Sequence, residues 1–425
     1  MTLYFAQGSS SHDFTSEEMF AMLQSVLRKI NPKKVLALPP DHTRYDSRAG
    51  ELTVMAHEIL GDRLVDVMPA LGTHEPMDSS QLDRMFPGLP HSLVRAHHWR
   101  KDVVRLGMVD ADFVNSATEG VYSRAWPAEA NRLLVEGGHD LILSLGQVVP
   151  HEVIGMANYT KNIFVGVGGS EGIHESHYLS ALYGMERIMG RADTPLRRIL
   201  NRAADLYCQN FPIVYVLTVV EATAEGRKVV RGFYIGDEHK VFDIASELAA
   251  KVNCFRLPTP PQTVVVTMSA KKYSKTWLAN KAIYRTRMAI GDGGTLVIIA
   301  PGVKTFGEDP DVDRLIRKYG YRTTPEVLSY VAQDLDLQNN LSAAAHLIHG
   351  SSENRFRIVY CTEALSESEV RSVGYDFMPV AEATSMYDVD SKRDGWYESS
   401  AGEPFYYISD PGLGLWMHEK HQYAF

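Results

Sequence analysis

Short apolar runs that break off into polar loops recur along this chain, and that rhythm leaves few folds open to it. VLAL at 35–38 leads into PPDHTRYDSR, and RLVDVMPAL leads into GTHEP. DLILSLG at 140–146 and NIFVGVGG at 162–169 are likewise apolar and β-branched before glycine. A helical pattern, AGELTVMAHEILG, separates the first two runs. Such alternation of strand, loop and helix predicts an α/β fold whose mainly parallel sheet is covered by helices on both faces. Open sheets of this kind bind ligands past the carboxyl ends of their strands, which is where the polar motifs fall.

The same reading extends along the chain. Thr15 to Glu18 has the form of a capping box, followed by the amphipathic FAMLQSVLRKI. PIVYVLTVVEATAEGRKVVRGFYIGD predicts an antiparallel hairpin turning at Ala224 to Arg227, with a helix in EHKVFDIASELAAKV after it. PTPPQ at 258–262 is the best linker, because consecutive prolines stop regular structure. Beyond it the pattern restarts with a TVVVTMS strand, a TWLANKAIYRTRMAI helix, the GGTLVIIAP strand and RIVYC at 357–361. The last forty residues show no clear periodicity. A chain of 425 residues exceeds one ordinary core. Two α/β domains are expected, residues 1–257 carrying the chemistry and 258–425 closing an interdomain cleft.

Composition narrows the function. With 45% hydrophobic and 22% charged residues the chain is globular. Its formal charge of -9 and lack of a basic run argue against nucleic acid, although a few local cations in a cleft can still hold a small anion. Cys208, Cys254 and Cys361 lie far apart and form no CxxC, which fits a reducing compartment. Neither a secretory leader nor an apolar run of membrane-spanning length is legible, so a soluble, cytoplasmic protein is expected.

The candidate chemistry sits in the loops. Asp41-His42-Thr43-Arg44 offers a guanidinium that can fork onto a carboxylate or phosphate and an aspartate that can orient a neighbour. His74 in Gly-Thr-His-Glu-Pro and His151 after Val149-Pro150 are candidate acid/base groups, since imidazole titrates near neutrality. His174 and His177, three apart on one helix face, could ligate a metal. Each alone is as readily a loop cap or a surface histidine, and Lys161 alone is an ordinary solvated lysine. His97-His98 and His346/His349 have similar spacing with less context and read as structural. GVGGSEG at 166–172 lacks the third glycine of a dinucleotide fingerprint.

Taken together, the motifs resemble the nickel-dependent lactate racemase family of 2-hydroxyacid racemases and epimerases. Its members carry a D-H-T-R loop, a G-[TM]-H loop, a P-H, a lysine ten residues on and a histidine sixteen beyond that. Here these are Asp41 to Arg44, Gly72-Thr73-His74, Pro150-His151, Lys161 and His177. A family lysine twelve residues before a Gly-Gly-Thr strand is matched by Lys281 before Gly293. The resemblance implies a nickel pincer nucleotide joined to Lys161, with His177 as the protein ligand to nickel. It implies that His74 and His151 serve the two faces of the substrate C2. Arg44 and Lys281 would hold substrate carboxylate or cofactor phosphate, Asp41 would orient its neighbours, and enzymes that build the cofactor would be partners.

The chain departs from the family pattern at Asn162 to Gly166, where Ser-Ile-x-Pro-Gly is common, at Leu278 for a glutamine, and at Glu75 for a basic residue. Glu75, Tyr45 and Asn158 lie beside matched positions and bring hydrogen-bonding groups where lactate would need only a small apolar pocket. A polyhydroxylated acid of the gluconate type is therefore the expected substrate. The competing expectations are a zinc hydrolase, using His174 and His177 with Asp41 or Glu171, and a sugar-acid binding protein without catalysis.

Overall fold

The computed structural model describes residues 2–223, 226–390 and 392–421. The chain divides into two compact units. The first comprises residues 1–179, 188–223 and 227–253, and the second 180–187, 224–226 and 254–425.

The first unit is built on β1 (Leu3–Gly8), β2 (Val35–Leu38), β3 (Leu64–Val67), β4 (Val103–Val109), β5 (Trp126–Asn131), β6 (Leu141–Gln147), β7 (Pro150–His151), β8 (Gly155–Met156), β9 (Ile213–Ala222) and β10 (Lys228–Gly236). Its main sheet runs in the order β1-β10-β9-β6-β2-β3. Strands β9, β6, β2 and β3 are parallel to one another, while β10 pairs antiparallel with β9 and β1 antiparallel with β10. The fully buried VLAL and LILSLGQ strands are central, as uninterrupted apolar runs should be. The capping box at Thr15 forms, with Glu18 reaching back to the cap backbone, and starts the helix Ser16–Ile30. The helix His239–Asn253 lays Val241, Phe242, Ala245 and Leu248 against Leu217, Val219 and Tyr234 of the sheet. The hairpin β9–β10 forms as the sequence suggests, but Ala224 and Glu225 of its turn lie outside the described residues.

In the second unit, β11 (Cys254–Leu257) pairs in parallel with β18 (Leu415–His418). The larger sheet contains β12 (Thr263–Thr267), β13 (Thr295–Ile299), β14 (Arg357–Cys361), β15 (Asp376–Phe377), β16 (Gly395–Glu398) and β17 (Pro404–Ile408). Its order is β15-β14-β13-β12-β17-β16, parallel except at β16. Val265, Val297, Val359, Phe405 and Tyr387 pack into its core. Both units are therefore α/β with mainly parallel sheets.

Three expectations from the sequence differ from the structure. NIFVGVGG is not a strand: Asn162–Gly166 forms a π-helical turn, fully buried. Its apolar run fits a buried helical turn as well as a buried strand, and periodicity cannot separate them. TWLANKAIYRTRMAI is two short helices, Thr276–Ala279 and Lys281–Thr286, broken at Asn280. The aperiodic tail holds three strands, β16 to β18, each too short to show a period.

Candidate active site

Parallel pairing of β3, β2 and β6 brings the ends of all three to one edge of the sheet. Pairing continues past the strands: the Ala70 N–H donates to Pro39 O at 2.7 Å, and residues 40 and 70 bridge in parallel. The DHTR and GTH loops are thereby laid side by side. The carboxylate of Asp41 caps the 3₁₀ turn His42–Ser47, its Oδ1 accepting from the Thr43 N–H at 3.1 Å and hydroxyl at 2.6 Å. Its other oxygen lies 2.5 Å from His74 Nδ1. Burial of Asp41 works to raise its pKa, but the adjacent His74 and the hydrogen bonds from His74 and Thr43 outweigh it and hold the carboxyl well below its usual range. An ionised carboxylate only accepts, so His74 donates from Nδ1 and presents Nε2 as a base.

His151 is set by the small hairpin β7–β8, in which it faces Gly155. It is buried, and its Nδ1 accepts the Val153 N–H at 3.1 Å. The neutral ring therefore carries its proton on Nε2, the opposite tautomer to His74. The Glu152 carboxylate stands 3.8 Å from His151 Nδ1.

The π-helical turn carries Lys161 into the same region. Asn162, at one of the positions that depart from the family pattern, anchors it: its amide donates to Leu38 O at 3.0 Å, at the end of β2, and to Ser144 Oγ at 2.9 Å, midway along β6. The Gly72 N–H donates to Gly166 O at 2.8 Å, tying this turn to the GTH loop. Gly166 must lack a side chain, because a Cβ there would sit 2.8 Å from the Ala70 Cβ. The preceding residues are clamped by buried Arg197, which donates to Thr160 Oγ1, Met156 O and Asn158 O.

Lys161 itself is partly buried and makes no hydrogen bond or ion pair with another described residue. Burial, with the Arg44 guanidinium nearby, pulls its pKa down to about 8. Arg44 likewise makes no hydrogen bond or ion pair among the described residues. His177, on the helix Ser170–Tyr183, donates from Nδ1 to Ile173 O at 2.7 Å, which leaves the lone pair of Nε2 open. Its pKa is lowered by burial first and then by Lys161, with Glu152 and His74 also acting on it. Asp41, Arg44, His74, Lys161 and His177 therefore share one electrostatic neighbourhood, with Glu152 linking His151 to it. Lys281 is buried on its own short helix in the second unit.

Other sequence candidates are accounted for within the fold. His97 is buried between Asn131 Nδ2 at 2.8 Å and Gly168 O at 3.0 Å. His346 is held by the Tyr284 and Tyr321 hydroxyls. His174 packs edge-on to Trp99, with its pKa lowered to about 4 by burial. Among the described residues no group of three or more His, Cys, Asp or Glu side chains could hold a metal, so a zinc site on His174, His177 and Asp41 or Glu171 is not formed. Of the three residues expected to add polar groups, only Glu75 lines the cavity of about 200 Å³ beside His74, with His98, Trp99, Arg100 and Lys101. Tyr45 is exposed beneath Arg84. Asn158 sits in a left-handed turn with its oxygen taken by the Tyr159 N–H. Sequence reasoning missed Glu152 and the Trp99 to Lys101 wall. Glu152 adjoins His151 and was findable, whereas the wall is joined to His74 only by the fold.

Two histidines held in fixed tautomers, an amine with no hydrogen bond or ion pair among the described residues, and a third histidine with its Nε2 left open are thus gathered beside the carboxyl edge of a parallel α/β sheet. Residues 21–188 match the family described as the lactate racemase N-terminal domain. No curated protein matches the sequence. A protein from Thermotoga maritima, solved by the Northeast Structural Genomics Consortium, has the same fold with TM-score 0.81 and 23% identity, over 96% of this chain and 99% of that one. The lactate racemase apoprotein from Thermoanaerobacterium thermosaccharolyticum is similar with TM-score 0.69 and 15% identity, over 97% and 94%. Among the described residues no helix is long and apolar enough to cross a membrane.

Proposed function

We propose that this protein racemises or epimerises a 2-hydroxyacid at C2, using a nickel pincer nucleotide held by Lys161 and His177. The observation that carries the reading is the pairing of a partly buried amine of lowered pKa, without a hydrogen bond or ion pair among the described residues, with a histidine whose Nε2 is left open. Both fit the group: an amine near neutrality is available for thioamide formation, and a histidine fixed through Nδ1 on a carbonyl is oriented as metal ligands usually are. When bound, the nucleotide supplies an electrophilic carbon able to accept the C2 hydrogen as hydride.

The chain's own residues then divide the remaining work. His74, backed by Asp41, takes the substrate hydroxyl proton at Nε2, and the resulting imidazolium is stabilised by the carboxylate. Loss of hydride and proton leaves a planar 2-keto acid that can be rebuilt from either face. His151 is assigned to the other face of C2, and Glu152, 3.8 Å from its Nδ1, supplies the negative charge an imidazolium there would need. Arg44 is assigned to the substrate carboxylate or the nucleotide phosphate. Lys281 shares that assignment on its offset from Gly293 alone. The cavity beside His74, with Glu75, Trp99, Arg100 and Lys101 on its walls, exceeds what a methyl group requires and supports a longer, polyhydroxylated acid.

The experiment is intact mass and turnover of protein produced together with the enzymes that make the pincer. The expected result is a mass increment on wild type that Lys161→Ala lacks, and faster turnover of gluconate than of lactate. A missing increment overturns the cofactor. Equal or better turnover of lactate overturns only the substrate.

A further inference from the structure

We propose that the second unit carries a separate pocket for the phosphate group of a small phosphorylated metabolite, centred on Arg322. The pocket lies at the amino ends of parallel strands. Gly293 precedes β13, Phe356 and Arg357 open β14, and Tyr375 and Asp376 open β15, and all of them line one cavity of about 610 Å³. That volume is in the range of small-molecule sites. All its lining residues belong to the second unit, so it is distinct from the histidine and lysine site of the first.

It is rich in guanidinium groups although the chain's net charge is -9, and all but one of them are paired with carboxylates. Four arginines line the cavity, 322, 355, 357 and 371, against the two carboxylates of Glu326 and Asp376. Asp376 is shared between Arg357 at 2.7 Å and Arg371 at 3.1 Å. Glu326 is committed to capping its helix through the N–H and hydroxyl of Thr323. Arg355 is held by Asp292 and by the carbonyls of Arg287 and Ile290. Arg322 differs from these. Its one hydrogen bond among the described residues goes to the Tyr321 carbonyl at 3.1 Å, and it has no ion-pair partner there.

The backbone nevertheless makes room for that guanidinium on two sides. Gly320 and Gly374 both have left-handed φ, +70° and +97°. A Cβ on them would stand 2.8 and 2.3 Å from Arg322 Nη1. A guanidinium with no ion-pair partner among the described residues, Glu326 acting on it only at longer range, keeps donors that a phosphate oxyanion could take up from this recess. Ser351 and Ser352 on the same wall suit a hydroxylated remainder, so a sugar phosphate is the class that fits.

The test is thermal melting of the ligand-free protein against glucose 6-phosphate, glucose and citrate. It requires neither nickel nor turnover, so its outcome is independent of the proposed reaction. Glucose 6-phosphate is expected to raise Tm saturably by on the order of 3 °C in wild type and in Arg44→Gln. Arg322→Gln should abolish the shift, and Arg322→Lys, which keeps charge but not the fork, should weaken binding about tenfold. Glucose and citrate should do little. No shift in wild type, a shift that survives Arg322→Gln, one lost instead in Arg44→Gln, or an equal response to citrate overturns the proposal.

Discussion

Lys161 is a residue the fold tolerates at a cost. Its pKa falls to about 8 on burial, below the usual 10.5. Below pH 8 both folded and unfolded chains hold the proton, and the full penalty of burying the charge applies. Between pH 8 and 10.5 the unfolded chain binds more protons, so stability rises with pH. Lys161→Met is therefore expected to stabilise the ligand-free protein by on the order of 2 kcal/mol at pH 7. The gain should shrink towards pH 10 in urea unfolding, and a gain that grew with pH would contradict the account. Asp41 acts at the same scale by fixing a tautomer. Asp41→Asn keeps the shape but no longer stabilises an imidazolium at His74. Turnover should fall by about two to four orders of magnitude, with the urea midpoint changed far less.

At the scale of elements, the site depends on a loop and a π-helical turn meeting without side chains between them. Gly166→Ala would press a methyl group into Ala70 and lever the GTH loop away from Lys161. The expected loss is about 1–3 kcal/mol in stability, with a larger proportional loss in kcat/KM. The sequence made much of this legible. The VLAL and DLILSLG strands declare themselves because a buried parallel strand is an unbroken apolar run, and the polar residues after them fall where open sheets bind ligands. The offsets from His151 to Lys161 and on to His177 were readable as a resemblance, never as a distance. What was not legible depended on contacts distant in sequence. Asn162 reads as a departure until its bonds to Leu38 and Ser144 are seen, and nothing local announces that Trp99 to Lys101 share a cavity with His74.

For the whole molecule, the question is how a chain of net charge -9 would attract the anionic substrate proposed for it. The cavity beside His74 is walled by Arg100 and Lys101, and Arg44 and Lys161 make no ion pairs among the described residues. Local cations outweigh the distant net charge once salt screens beyond about 10 Å. Accordingly kcat/KM is expected to fall about three- to tenfold between 20 and 500 mM salt; a rise would show that the net charge dominates. The expectation of two α/β domains reflects chain length and the proline-rich stretch at 258–262, whereas the grouping of residues 180–187 with the later unit has no signature in composition. The uncompensated amine of Lys161 also reaches into the life of the protein in a cell. If the proposed thioamide forms there, the buried charge is erased, and a chain so loaded would open less often than an empty one. Proteases that sample opened molecules would then clear the empty form first, and the population would purify itself towards working enzyme without any dedicated inspector.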